Sequence, residues 1–254
     1  DDIDSEFLHQ YRVAVRRIRS ALTQIKGVHP PRKVEKFKRD FRWLGQLTGP
    51  ARDLDVYLLA FDDYVQLVPE DVRHTLEPLK VHMLQARQES YAQLHRIFGL
   101  KRYEKILRDF ELFLQAPEPS KTTLIHAQKP IAEMASHYCW RAFKRVLRDG
   151  RAISEQSPAE ALHDLRKVCK KLRYLLEFFQ SLYPAGELKG FIRSLKGLQS
   201  VLGDFQDYEV QHMTLRDFGA QMQGAGPVSS DTLLSMGMLV DILHSRQLEA
   251  RQQF

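Results

Sequence analysis

The chain has 254 residues, 43% of them hydrophobic, enough for one large domain or two small ones with real cores. Lys and Arg number 38 against 32 Asp and Glu, a net charge of +6, which favours an anionic partner such as nucleic acid, a phosphorylated polymer or an anionic membrane without choosing among them. No apolar run approaches the roughly 20 residues of a membrane span, and two cysteines make no disulfide framework, so a cytoplasmic compartment is expected.

Nearly every segment carries a period near 3.6, and no strand alternation is found. Asp4 or Ser5 can cap a first helix running to about Lys26, and Pro30-Pro31 opens a second to about Leu47. Thr48-Gly49-Pro50 breaks it. A third helix is expected from Ala51 to Val65, and Pro69-Glu70 opens a long fourth to Phe98. Gly99 ends that one, and a shorter helix covers Lys101 to Gln115. Ala116-Pro-Glu-Pro-Ser120 is the clearest linker. Further helices are expected over Lys129–Ser154, Pro158–Leu182, Glu187–Leu202, Asp207–Met222 and beyond Pro227. The two cysteines, Cys139 and Cys169, fall on apolar positions of these patterns and read as small buried hydrophobes.

One stretch occurs twice. His9-Gln-Tyr-Arg12-Val-Ala-Val-Arg16-Arg17-Ile-Arg19 returns 154 residues later as His163-Asp-Leu-Arg166-Lys-Val-Cys-Lys170-Lys171-Leu-Arg173. The same offset carries Arg39 onto Arg193, Arg42 onto Lys196, Leu44 onto Leu198, Gly49 onto Gly203, Asp53 onto Asp207, Asp55 onto Glu209 and Val56 onto Val210. An ungapped register of this length reads as a duplication. The expected architecture is all-α: two antiparallel helical bundles related by a pseudo-two-fold, with a basic groove or cavity between them. The first half is placed at residues 1–116, the linker at 117–127 and the second half at 128–254. A helix precedes the second copy and none precedes the first, and the chain opens without Met, so a further domain upstream is expected.

On a helix of ~100° per residue, His9, Arg12, Arg16 and Arg19 fall within an arc of roughly 80°. Leu8, Tyr11, Val15, Ile18 and Leu22 gather on another face. The second copy behaves alike. No acid lies between His9 and Arg19, whereas a solvated helix face normally mixes signs. A single such run reads as a solvated basic face. Two matching runs point to an anion that relieves their repulsion. Arg32, Lys36, Arg39 and Arg42 form a further stripe, and Arg141, Lys144, Arg148 and Arg151 repeat the spacing of the first row.

The repeated acids Asp53, Asp55, Asp207 and Glu209 follow Gly49 and Gly203, both read as turn glycines. They can cap a helix, pair with the basic rows, or hold Mg²⁺. His9 and His163 lack neighbours at metal-ligand spacing, so no metal is assigned to them. His163-Asp164 resembles the start of a metal-dependent phosphohydrolase site, but the other ligands are not in evidence. No phosphate-binding glycine loop and no nucleophile–base arrangement is found, and aromatic interleaving of the single-strand-binding kind is weak.

The motifs H-x-x-R-V-x-x-R-R-x-R, L-T-G-x-x-R-D-L-D-V and H-D-L-R-K-x-x-K-x-L-R-Y resemble those of the CHAD family, the conserved histidine α-helical domain. The resemblance covers nearly the whole chain. It implies two four-helix bundles and non-enzymatic binding of inorganic polyphosphate, with no cofactor. It also implies association with polyphosphate granules and a triphosphate-tunnel (CYTH) domain as an upstream partner. Carried over residue by residue, the motifs imply contacts from His9, Arg12, Arg16, Arg17, Arg19, His163, Arg166, Lys170, Lys171 and Arg173. Arg39, Arg42, Arg193 and Lys196 follow from the adjoining helices. Lys36, Lys189, Arg141, Lys144 and Arg148 extend the set along the same basic stripes. Arg52 has no basic partner, since its repeat equivalent is Gln206. The rival functions are nucleic-acid binding through an open basic face, and phosphohydrolysis using His9 or His163 with Asp53 or Asp207.

Overall fold

In a computed structural model, residues 4–117 and 123–252 are described. The elements are α1 (Ser5–Gln24), α2 (Pro31–Leu47), α3 (Gly49–Leu59), α4 (Phe61–Leu67), a 3-10 segment (Glu70–Leu76), α5 (Glu77–Phe98), α6 (Lys101–Gln115), α7 (Ile131–Arg151), α8 (Ala159–Phe178), a 3-10 turn (Gln180–Leu182), α9 (Ala185–Ala225) and α10 (Ser230–Gln252). There is no strand among the described residues, and none of their helices is long and apolar enough to cross a membrane. The linker Ala116–Ser120 lies partly outside the described residues.

Local chemistry accounts for most of the boundaries. Asp4 caps α1 by accepting from the Glu6 N–H at 2.9 Å. Pro31 and Pro78 stand in the first turns of α2 and α5, where a missing N–H removes no helical bond. Pro78 also forces the chain to restart there, so the expected long fourth helix is a 3-10 segment followed by α5. The expected third helix bends at Ala60 into α3 and α4.

The largest departure is α9. Separate helices over Glu187–Leu202 and Asp207–Met222 were expected, with Gly203 as a turn. Instead one helix of 41 residues, about 60 Å long, runs through. The residue after the glycine separates the two copies. Gly49 is followed by Pro50, which has no N–H and collides with the preceding turn, so α2 ends. Gly203 is followed by Asp204, and a lone glycine inside a helix costs only about 1 kcal/mol.

Four apolar clusters hold the helices together. One lies among α7, α8 and the N-terminal half of α9, around Leu165, Leu172, Leu175 and Leu202. A second joins α3, α4 and α5 to the C-terminal half of α9 and to α10, around Leu76, Leu79, Met83, Leu215, Leu239 and Leu243. The long α9 therefore serves both, and the second cluster draws residues from both sides of the linker. A third packs α1 and α2 against α6 through Val15, Phe37, Phe41, Leu44 and Ile106. A small fourth, Leu8 with Ala51 and Leu94, seats the start of α1 on α3 and α5. Each fully buried leucine contributes roughly 2–3 kcal/mol. Cys139 and Cys169 are free and buried, as expected, and burial pushes the Cys169 thiol up to about 11.

Candidate functional site: convergent basic rows

Helix α1 puts its apolar face on α2 and α6, and α8 puts its own on α7 and α9. Each leaves its basic row on the remaining side. The two helices touch directly. The Gln24 amide Nε2 donates to the Lys171 carbonyl at 3.1 Å, and the Arg17 guanidinium lies 5.9 Å from the centre of the Phe178 ring.

The rows meet at Lys170. Its ammonium is pushed down to about 8, first by desolvation, then by the charges of Arg166 and Arg16; Asp207 opposes, and Arg173 adds to the repulsion. Arg16 belongs to the first row and the others to the second, so cations of both copies share one place. Lys170 forms no ion pair among the described residues, whereas Lys36, Lys38, Lys105, Lys129 and Lys167 each have a carboxylate within 4.0 Å. The Nε of Arg166 and of Arg173 is buried without a protein hydrogen-bond partner.

The repeated acids orient the arginines. Arg166 Nη1 donates to Asp207 Oδ1 at 3.1 Å. In the first copy, Arg12 is close enough to Asp53 to feel its charge, together with those of Arg16 and Arg52. Partial desolvation pushes the Asp53 carboxyl up, against the pull of Arg12 and Arg52. Neither acid caps a helix: Asp207 is in the middle of α9, and Asp53 lies beyond the first turn of α3. Asp55 is no part of this surface. It is buried, accepting from Arg87 Nε at 2.7 Å and Tyr91 Oη at 2.6 Å, and fastens α3 to α5. Among the described residues no group of three His, Cys, Asp or Glu side chains is gathered as metal ligands.

Arg12 has a second duty. Its Nη1 donates to the Gly45 carbonyl at 2.9 Å and to Thr48 Oγ1 at 3.0 Å, capping the C-terminal end of α2 where Pro50 interrupts the ladder. Two glycines make room for row arginines. A Cβ on Gly203 would stand 3.1 Å from Arg166 Nη2, and one on Gly45 would stand 3.3 Å from Arg19 Nη1. Arg19 is desolvated and feels Arg42 of α2, which extends the first row onto that helix.

The other expected contacts divide. His163 Nδ1 pairs with the Gln206 side-chain oxygen, and Gln206 Nε2 donates to Glu209 Oε2 at 3.4 Å. His9 is half-buried at the start of the first row. Arg39, Arg193, Lys196, Lys189 and Lys171 are exposed. Lys36 is engaged elsewhere, at 2.8 Å from Asp109 and 3.8 Å from Asp40. On α7, Arg141 is exposed, Lys144 sits 5.7 Å from the Trp140 ring and Arg148 pairs with Asp149 at 2.8 Å. These contacts lie within their own helix. Arg145 of α7 adds its charge at α8, where it helps hold the Asp164 carboxyl down after Lys167 and alongside His163. Sequence reasoning passed over Arg145, Gly45 and Gln206. Only Gly45 left a signal, as a glycine inside a helical pattern.

The internal contacts of this all-helical body thus crowd cations of two helices into one place. The chain belongs to the CHAD family: the family model described as CHAD domain matches residues 1–216. Among solved structures it is similar to the crystal structure of the CHAD domain from the plant Ricinus communis, at 23% identity and a TM-score of 0.71, over 96% of this chain and 82% of that one. It is also similar to PptA from Streptomyces chartreusis, at 15% identity and a TM-score of 0.70, over 97% of this chain and 87% of that one. Both are likenesses of fold. No curated protein matches the chain in sequence.

Proposed function

We propose that this protein binds inorganic polyphosphate, as a binding module and not as a catalyst, on the surface where the two basic rows meet. The observation that carries the reading is Lys170, a half-buried lysine without an ion pair among the described residues, crowded by the charges of Arg166 and Arg173 of its own row and of Arg16 of the other. Such a cluster is repulsive when empty, and an anion with a charge at every unit relieves it. Arg12, Arg16, Arg19, Arg39 and Arg42 form one arm of the track; Arg166, Lys170, Arg173, Arg193 and Lys196 form the other. The guanidinium groups grip two phosphate oxygens at once and Lys170 acts as a point charge.

The duplication supports a single shared site. Under a two-fold relation, only residues beside the axis meet their own equivalents. Arg16 and Lys170 are equivalent in the repeat, and they are close enough to repel. A narrow, flexible chain can enter a track between two helices where a duplex cannot. The same proposal extends to association with polyphosphate granules and with a triphosphate-tunnel (CYTH) partner.

The test is calorimetric titration with long-chain polyphosphate, beside single-stranded and duplex DNA at matched phosphate, across a salt series with chelator present. Tight polyphosphate binding that survives chelation, with DNA at least about tenfold weaker, is the expected result. Equal affinities that collapse together with salt would make this a general cationic surface and favour the nucleic-acid reading.

A further inference from the structure

The lysine at the junction of the rows is half-buried among cations. Its equivalent in the first copy is Arg16, so charge alone does not require an amine there. Lys36, Lys129 and Lys167 each pair with a carboxylate, at 2.8, 3.1 and 2.6 Å. Lys170 has no such partner among the described residues, and the carboxylate whose charge reaches it, Asp207, accepts from Arg166 at 3.1 Å. On α8, Arg166 and Arg173 stand one turn before and one turn after it, all three half-buried, and the charges of Arg16 on α1 and Asp207 on α9 also reach it. Arg173 Nη1 donates to Glu177 at 3.2 Å, and among the described residues the buried Nε–H groups of Arg166 and Arg173 have no hydrogen-bond partner. An amine without a carboxylate partner among the described residues thus shares one helix face with guanidinium groups, the side chains that bind phosphate.

We propose that Lys170 is a site of covalent acylation by acyl phosphates, with Arg16, Arg166 and Arg173 holding the phosphate and the Lys170 Nζ accepting the acyl group. The neutral amine attacks the carbonyl carbon, and a C–N bond forms as the C–O bond to phosphate breaks. Inorganic phosphate departs with the bonding electron pair, and the nitrogen releases one proton to solvent. No oxidant, reductant or metal takes part. With the amine pushed down to about 8, roughly half of it is neutral near pH 8, against less than about one in a hundred for an ordinary lysine. The amide carries no charge, so acylation removes the central cation of the cluster. On the polyphosphate reading it would weaken polyanion binding; the acylation itself does not depend on that reading.

The experiment treats the full chain with acetyl phosphate at pH 8 and follows each lysine by peptide mass spectrometry. A parallel arm uses an uncharged acetyl ester, N-acetoxysuccinimide. Lys170 is expected to be labelled at least about tenfold faster than the exposed Lys167 and Lys171 with acetyl phosphate. That preference should shrink with the uncharged ester. Arg16→Gln, at an exposed position, should slow Lys170 labelling by acetyl phosphate several-fold while leaving Lys171 unchanged. Labelling of Lys170 no faster than Lys171 overturns the proposal. So does an undiminished preference with the uncharged ester, since the arginines would then play no part. Neither outcome bears on polyphosphate binding, which the titration decides separately.

Discussion

At the scale of single residues, Lys170 links charge, stability and binding. Its pKa falls from 10.5 to about 8 on folding. The unfolded chain therefore holds the proton more tightly, and folding is penalised wherever that proton is bound. The penalty is complete below about pH 8, fades as pH rises from 8 to 10.5, and is absent above. Relative to Lys170→Met, the unliganded wild-type protein should gain melting temperature across that window; a constant difference between the two would count against the assigned environment. A polyanion reverses the balance by favouring the ammonium. Binding near pH 8 should thus take up protons, visible as a dependence of the calorimetric heat on buffer ionisation enthalpy, and Lys170→Arg should abolish it. Asp55 makes the opposite case, a repeated acid with a purely structural duty. Asp55→Asn weakens its pairing with Arg87 and Tyr91 in the core, and a loss of roughly 2–4 kcal/mol in chemical denaturation is expected, with polyphosphate affinity little changed. A variant that kept its stability would mean that this pair does not fasten α3 to α5.

At the scale of elements, the two copies show what a sequence register conveys and where it stops. The 3.6-residue pattern and the prolines located the helices that position the rows, because apolar periodicity and a missing N–H act locally. The fate of Gly203 turned on its neighbour: Pro50 breaks the first copy, Asp204 does not break the second, and so Asp207 pairs with Arg166 from mid-helix. Which carboxylate a lysine chooses is a tertiary matter. Lys36 looked like a member of the basic stripe until α6 brought Asp109 to 2.8 Å. Arg12 likewise shares its row with a capping task that only the α2–α3 junction creates. The close approach of Arg166 to Gly203 yields a prediction for α9. In Gly203→Ala the helix gains propensity of about 1 kcal/mol, while the new Cβ, 3.1 Å from Arg166 Nη2, shifts the guanidinium that pairs with Asp207. Polyphosphate affinity should drop several-fold with the melting temperature held or raised. An unchanged affinity would show that the Arg166–Asp207 geometry is immaterial.

At the scale of the whole molecule, the central claim is that both copies build one site. Arg12 and Arg166 are poor probes, since one caps a helix and the other is paired. Arg16 and Lys170 are equivalent in the repeat, lie together, and take part in no ion pair among the described residues. The most direct measurement is polyphosphate titration of Arg16→Glu and Lys170→Glu beside the wild-type chain, with folding verified by circular dichroism. Each reversal should weaken binding by about 10- to 100-fold, the two within a few-fold of each other, and each should lower the steepness of the salt dependence. Loss confined to one variant, with the other binding as the wild type does, would contradict a site shared by the two rows.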